Sequence, residues 1–196
     1  MMEHYYSEKQ TSKFEPAVIE VEIWGKRIEL YTAGGVFSPK KVDRGTLLLI
    51  DSVVVGSGDR VLDLGCGYGV VGIAVVKKKS GVEIVLSDVN ERALRLAKMN
   101  LRRNKVEGKV KKSDGFDKIE GKFDVVLFNP PQTAGKKICM KMIEDSREFL
   151  NEGGSLQLVA RHQKGGKGFE EKMKEVFGNV EVLQKKGGFR VYMSKK

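Results

Sequence analysis

The chain has 196 residues, enough for one domain of ordinary size with a small appendage, and at 40% hydrophobic it can bury a real core. Its 36 basic against 26 acidic residues give a net charge of +10, which favours an anionic partner such as RNA or DNA over a lysine-rich surface selected only for solubility. Two cysteines without a CxxC spacing and two histidines exclude a recognisable metal site, and no apolar run approaches the roughly 20 residues that span a bilayer. The first 14 residues are polar and mixed in charge, unlike a signal peptide, so the chain reads as soluble and cytoplasmic.

In chain order, residues 1–15 form a lead-in. Ala17 to Tyr31 alternates around Gly25-Lys26 and predicts a β-hairpin. Thr32 to Pro39 is a loop by its glycines and proline. Leu47, Leu48, Ile50 and Val54 predict a short helix starting near Asp43. From Arg60 the pattern alternates between strand and helix. Strands are expected at Val61–Leu64, Glu83–Leu86, Lys109–Lys112, Phe123–Phe128 and Ser155–Ala160. Helices are expected from Val70, over Glu91–Asn104 with Asn90 as N-cap, over Lys136–Leu150 and over Gly168–Phe177. Val180–Gln184 and Phe189–Met193 flank Lys185-Lys186-Gly187-Gly188 and predict a closing hairpin. The interior β-α order implies a Rossmann-like, doubly wound, mostly parallel α/β sheet of seven strands, ending in an antiparallel hairpin and preceded by a small N-terminal β-hairpin extension. The expected division is 1–40 for that hairpin with a cofactor-covering loop, and 41–196 for the main domain.

Asp63-Leu64-Gly65-Cys66-Gly67-Tyr68-Gly69 follows an apolar strand and precedes a helix, where glycines let the backbone turn sharply and approach a ligand. The needs of S-adenosylmethionine match this setting. Its ammonium suits the carboxylate of Asp63, and its ribose hydroxyls suit Asp88, 19 residues after Gly69 in Asp88-Val89. Asp114-Gly115-Phe116 follows the third strand, where Asp114 can accept from an adenine amine and Gly115-Phe116 can pack on the ring. Gly67 to Gly72 also matches GxGxxG, so a nicotinamide or flavin dinucleotide remains open. That window starts inside the loop, however, and would put Asp63 beside a pyrophosphate.

Asn129-Pro130-Pro131-Gln132 follows the fourth strand. The prolines fix φ and hold Asn129 extended, so that the Asn129 side chain and the Pro130 carbonyl can accept both hydrogens of one NH₂ group. Holding an amine in this way aims its lone pair at a methyl sulfonium, and the work left to the protein is orientation. Lys136 and Lys137 after this loop, and Arg161, His162, Lys164 and Lys167 after the fifth strand, are candidate phosphate contacts. A cytosine-carbon methylation would need a nucleophilic cysteine, which neither Cys66 nor Cys139 is placed to be.

Together these motifs resemble the class I methyltransferases with an Asn-Pro-Pro amine motif. Most similar is the small-domain branch that includes ribosomal RNA guanine methyltransferases acting on the exocyclic amine. Gly35-Val36-Phe37-Ser38, Asp43 to Leu49 and Lys186 to Val191 add to that resemblance, which covers roughly residues 30–196. It implies cofactor contacts from Asp63, Gly65 to Gly69, Asp88, Val89, Asp114, Gly115 and Asn129, with Phe37 capping the methyl-donor pocket. It also implies Asn129 and Pro130 on the target amine, Pro131 and Gln132 beside it, and RNA as partner. A protein glutamine amide, a DNA adenine and a non-catalytic methyl-donor-binding role are the alternatives. Gln132 departs from the pattern, since relatives place an aromatic there to stack on the target base. Stacking is then expected from Phe37 or Phe128.

Overall fold

The computed structural model describes residues 8, 10, 12–131 and 135–196. A two-stranded antiparallel hairpin opens it, β1 (Ala17–Ile23) and β2 (Lys26–Thr32). Trp24 and Gly25 both take positive φ (50° and 71°) between the paired Ile23 and Lys26, so the turn lies one residue earlier than Gly25-Lys26. Two positive φ values are what a two-residue turn needs to match strand twist.

Helix α1 (Arg44–Ser52) starts where expected, because the Asp43 carboxylate accepts from the backbone N–H of Gly45 and Thr46. Val54 lies beyond it and is exposed; its backbone N–H and C=O are both held by the buried Gln157 side chain instead. The β-α units follow: β3 (Arg60–Leu64), α2 (Val70–Lys78), β4 (Glu83–Asp88), α3 (Glu91–Arg103), β5 (Lys109–Lys112), β6 (Phe123–Phe128), α4 (Lys136–Ser146), β7 (Leu150–Arg161), α5 (Lys167–Phe177), β8 (Glu181–Lys186) and β9 (Phe189–Lys195). A single π-helical turn, His162–Gly166, joins β7 to α5.

Two further expectations are corrected. The α4 helix stops at Ser146 rather than running to Leu150. Leu150 continues the helical spacing from Ile143, but it is fully buried in strand register opposite Phe123, so tertiary pairing overrides the periodicity. Strand β7 correspondingly begins at Leu150, not Ser155, with a register shift against β6 between Phe123 and Val125. Asp124 anchors the irregular stretch, accepting from Arg60 N–H and from the Asn151 amide.

The main sheet has strand order β5-β4-β3-β6-β7-β9-β8, parallel except at β9, which runs antiparallel to both neighbours. Its two faces bury separate cores. Val61, Ile84, Leu86, Val125 and Leu127 face α1, α2 and α3 together with the hairpin, while Leu62, Leu64, Val126, Phe128 and Leu158 face α4 and α5. Covered on both faces, β6 reads as a continuous apolar run, Phe123 to Phe128. Strand order reverses direction between β3 and β6. The crevice outside the carboxyl ends of those strands is the place where ligands sit in such sheets.

Candidate functional site

The switch point places the loop after β3 beside the loop after β6. Gly65, Gly67 and Gly69 take φ of 67°, 55° and 87°, a path that residues with a Cβ rarely follow. Helix α2 starts at the end of this loop, and its N-cap Gly69 has no side chain to satisfy the N–H groups of the first turn. Asp63, 3% exposed, lies beneath and accepts from Gly72 N–H at 3.0 Å. Asp88 accepts from Gly67 N–H and Asn90 N–H, both at 2.8 Å, tying the end of β4 to the glycine loop. Burial pushes the Asp63 carboxyl up to about 7, with the nearby Asp88 adding to the rise, and burial also raises Asp88.

These groups surround a cavity of about 230 Å³. Phe37, Asp63, Gly65, Cys66, Gly67, Tyr68, Asp88, Val89, Asp114, Gly115, Asn129, Pro130 and Pro131 all line it, so the structure gathers nearly every expected cofactor residue in one place. Gly69 does not line it and serves as the helix start instead. The Phe37 segment is pinned from α3: Asn90 Nδ2 donates to Gly35 C=O, and the buried Arg92 donates to Gly34 C=O.

Sequence reasoning missed Thr46, Ser87, Ile138 and Met142 in this lining. Ser87 is informative. Its hydroxyl is buried with no hydrogen-bond partner, although it lines the cavity. A buried unpaired hydroxyl is costly, and a polar ligand would satisfy it. Both carboxyls sit above their ordinary range, and a cationic ligand would favour their ionised forms. S-adenosylmethionine, with an ammonium, a sulfonium and ribose hydroxyls, fits this donor set; a dinucleotide pyrophosphate does not.

A second cavity of about 100 Å³ shares only Asn129, Pro130 and Pro131 with the first, so the Asn-Pro-Pro segment stands between the two. Lys136, Arg161, Lys164, Phe169 and Phe189 line its other walls, and the Arg161 guanidinium lies 4.6 Å over the Phe189 ring. The turn His162–Gly166 shapes this wall: its Lys164 and Gly165 leave helical geometry (φ −117° and 102°). Asn129 Nδ2 donates to the Thr46 hydroxyl at 2.9 Å.

Other expected substrate contacts fare unevenly. Lys136 and Arg161 line the second cavity, whereas Lys137 is exposed outside both. His162 lines neither cavity, its Nδ1 lying 2.9 Å from the Tyr192 hydroxyl. Gln132 falls outside the described residues. Of the rings expected to stack on the target base, Phe37 and Phe128 line the first cavity, while the rings of the second are Phe169 and Phe189. These come from α5 and β9, and no local motif announced them. Burial pushes the Cys139 thiol up to about 11 and raises that of Cys66 too, so neither is a poised nucleophile. Among the described residues no helix is long and apolar enough to cross a membrane, and no His, Cys, Asp or Glu group could hold a metal ion.

Comparison with known proteins agrees with this geometry. Residues 27–193 match the family model for the methyltransferase small domain. The chain is 38% identical to the uncharacterized protein YbxB of Bacillus subtilis (strain 168) over 202 residues, covering all of both chains. It is 36% identical over 173 residues to ribosomal RNA small subunit methyltransferase C of Haemophilus influenzae (strain 86-028NP), covering 86% of this chain and 51% of that one. It thus spans about half the length of the ribosomal RNA methyltransferases it matches. Among solved structures, the T. thermophilus 16S rRNA N2 G1207 methyltransferase (RsmC), in complex with AdoMet and guanosine, superposes with a TM-score of 0.84. That likeness has 23% identity, covers 96% of this chain and 52% of that one, and carries the fold. From the glycine loop, the strand-end carboxylates and a family match over residues 27–193, this chain belongs to the methyltransferase small domain family of S-adenosylmethionine-dependent enzymes.

Proposed function

We propose that this protein transfers a methyl group to the exocyclic amine of a guanine in ribosomal RNA. The observation that carries the reading is the Asn129-Pro130-Pro131 partition, with a carboxylate-lined cavity on one side and an aromatic, cationic one on the other. S-adenosylmethionine supplies a methyl already activated on a sulfonium. The chain's residues bind and orient. Asp63 meets the ammonium, Asp88 the ribose hydroxyls and Asp114 the adenine amine, while Phe37 covers the pocket. Asn129 Oδ1 and the Pro130 carbonyl each accept one N–H of the target amine, which aims the nitrogen lone pair through the partition toward the first cavity. No strong base is needed before attack.

The second cavity suits a nucleobase. Phe169 and Phe189 give it an aromatic wall, with Arg161 stacked on Phe189, and Lys164 and Lys136 stand beside them for phosphate. A glutamine amide presents the same NH₂ group, but the net charge of +10 and the cationic wall favour a polyanion. The ribosomal RNA substrate is supported by the name of the Haemophilus influenzae relative, and the guanine by the T. thermophilus neighbour, an N2 G1207 methyltransferase in complex with guanosine. On this reading the work is cytoplasmic, residues 1–40 supply the hairpin and cover, and residues 41–196 supply the transfer domain. The test is nucleoside mass spectrometry of ribosomal RNA from a strain lacking the protein, before and after treatment with purified protein and S-adenosylmethionine. Restoration of one N2-methylguanosine is the expected result. RNA that is identical in both strains and unchanged by the protein would sink the proposal.

A further inference from the structure

Asn129 has two chemically opposite ends, and only one of them can receive an amine. An N–H donor of the target needs the carbonyl end, Oδ1; the NH₂ end would set donor against donor. The two orientations differ by a half-turn of the terminal amide, and a hydroxyl can hold either end, as acceptor or as donor. We infer that Thr46, which here accepts from the NH₂ end, holds Asn129 with Oδ1 left for the amine, as a positioning residue acting through Asn129, and this rests on the amine-acceptor reading above.

The Thr46 hydroxyl lies 2.9 Å from Asn129 Nδ2, accepts from it, and is 83 residues away in sequence. With the NH₂ end engaged by Thr46, Oδ1 is the end left for a ligand. Thr46 is 5% exposed and lines the first cavity beside Asn129, so its hydroxyl has little competition from bulk water. Its own placement is over-determined. The Asp43 carboxylate accepts from the N–H groups of Gly45 and Thr46, which locks the first turn of α1. Gly45 lets that turn press on β9, since a Cβ there would come within 2.8 Å of the Phe189 ring. The same helix start therefore touches the wall of the second cavity and the amide that divides the two. The segment before the cofactor strand thereby helps to complete the reaction centre.

The test compares Thr46→Val, which keeps the shape and loses the acceptor, with Thr46→Ser, which keeps the hydroxyl. Both are measured with and without Asn129→Ala. The substrate is small-subunit ribosomal RNA from a strain lacking this protein, with labelled S-adenosylmethionine. Losing one well-formed hydrogen bond in Thr46→Val should lower kcat about tenfold, with KM for RNA and cofactor Kd within about twofold. Thr46→Ser should stay within about threefold of the parent. In the Asn129→Ala background, Thr46→Val should cause no further loss. Independently of RNA, the Asn129 side-chain NH₂ resonances, assigned by their disappearance in Asn129→Ala, should move toward free-amide positions in Thr46→Val and stay in place in Thr46→Ser.

Full turnover in Thr46→Val together with an inactive Asn129→Ala would overturn the role of Thr46 and leave the proposed function standing. Full turnover in Asn129→Ala would overturn both. Equal losses in the valine and serine variants, or a further loss on top of Asn129→Ala, would show that Thr46 acts through the fold alone and end the inference. Unmoved Asn129 resonances in Thr46→Val would end it too.

Discussion

Asp63 is buried where its charge is poorly solvated, which raises its carboxyl from an ordinary value near 3.8 to about 7. In the unfolded chain it returns to the ordinary value, so between these limits the folded state holds the extra proton. Stability from this group is present in full below the unfolded value and is lost as pH rises through about 7. The ligand-free protein should therefore lose about 2 kcal/mol between pH 5.5 and 8 from this residue, and Asp63→Asn should flatten that slope in urea titrations. Cofactor affinity should run the other way. A cation binds the ionised carboxylate, so calorimetry should find S-adenosylmethionine binding weakening by up to about tenfold per pH unit below 7. An affinity unchanged from pH 5.5 to 8 would show that Asp63 does not face the ammonium. Asn129 is a different case, uncharged and outside the cofactor's charge pattern. Asn129→Ala should leave cofactor Kd within about threefold while lowering kcat by about 10²- to 10³-fold, the cost of removing one oriented group at a reacting centre. Isothermal titration beside single-turnover methyl transfer separates the two effects.

Among the elements, the hairpin of β1 and β2 proves to be part of the main core. Ile23, Ile28 and Leu30 pack in the same cluster as α1, α2 and α3. Its link to the site is Asn100 on α3, which is fully buried. The Asn100 Oδ1 accepts from Tyr31 N–H at 2.6 Å, and its Nδ2 donates to the carbonyls of Tyr31 and Tyr68, both at 2.9 Å. One amide thus joins the end of the hairpin to the glycine loop. Asn100→Leu should strand three backbone groups in the interior and cost about 2–4 kcal/mol, read as a lower urea midpoint. Because Tyr68 lines the cofactor cavity, the same variant should also weaken S-adenosylmethionine binding. A variant as stable as the parent would show that water replaces the amide. The boundary of α4 shows why such elements are hard to place from periodicity. Leu150 satisfies the helical repeat and the strand equally well, and only its pairing with Phe123 decides.

Over the whole molecule, the proposed RNA substrate would meet the excess positive charge through counterion release, which makes affinity depend steeply on salt. Fluorescence anisotropy with ribosomal RNA should give a falling log K against log salt, and Lys164→Gln at the second cavity should shrink that slope by about one unit. A flat curve would favour a protein amide as substrate. Much of the architecture was readable in the chain itself. The β-α order, the hairpin at each end, the three aspartates after successive strands and the Asn-Pro-Pro segment are local patterns, and the sheet needed only the right-handed crossover rule to assemble them. The strand-end carboxylates duly gather at the reversal between β3 and β6. Thr46 against Asn129, Phe189 and Phe169 around the second cavity, Asn100 against Tyr68 and the unpaired Ser87 hydroxyl were not readable. Periodicity reports which face of an element is buried, never which distant residue it meets. By itself the sequence determined the fold class and the glycine loop with its strand-end carboxylates, because each is local chain chemistry. Tertiary structure alone decided where the helix after the Asn-Pro-Pro loop ends, which rings stand beside that loop and which hydroxyl holds its asparagine, because each depends on packing between segments far apart in the chain.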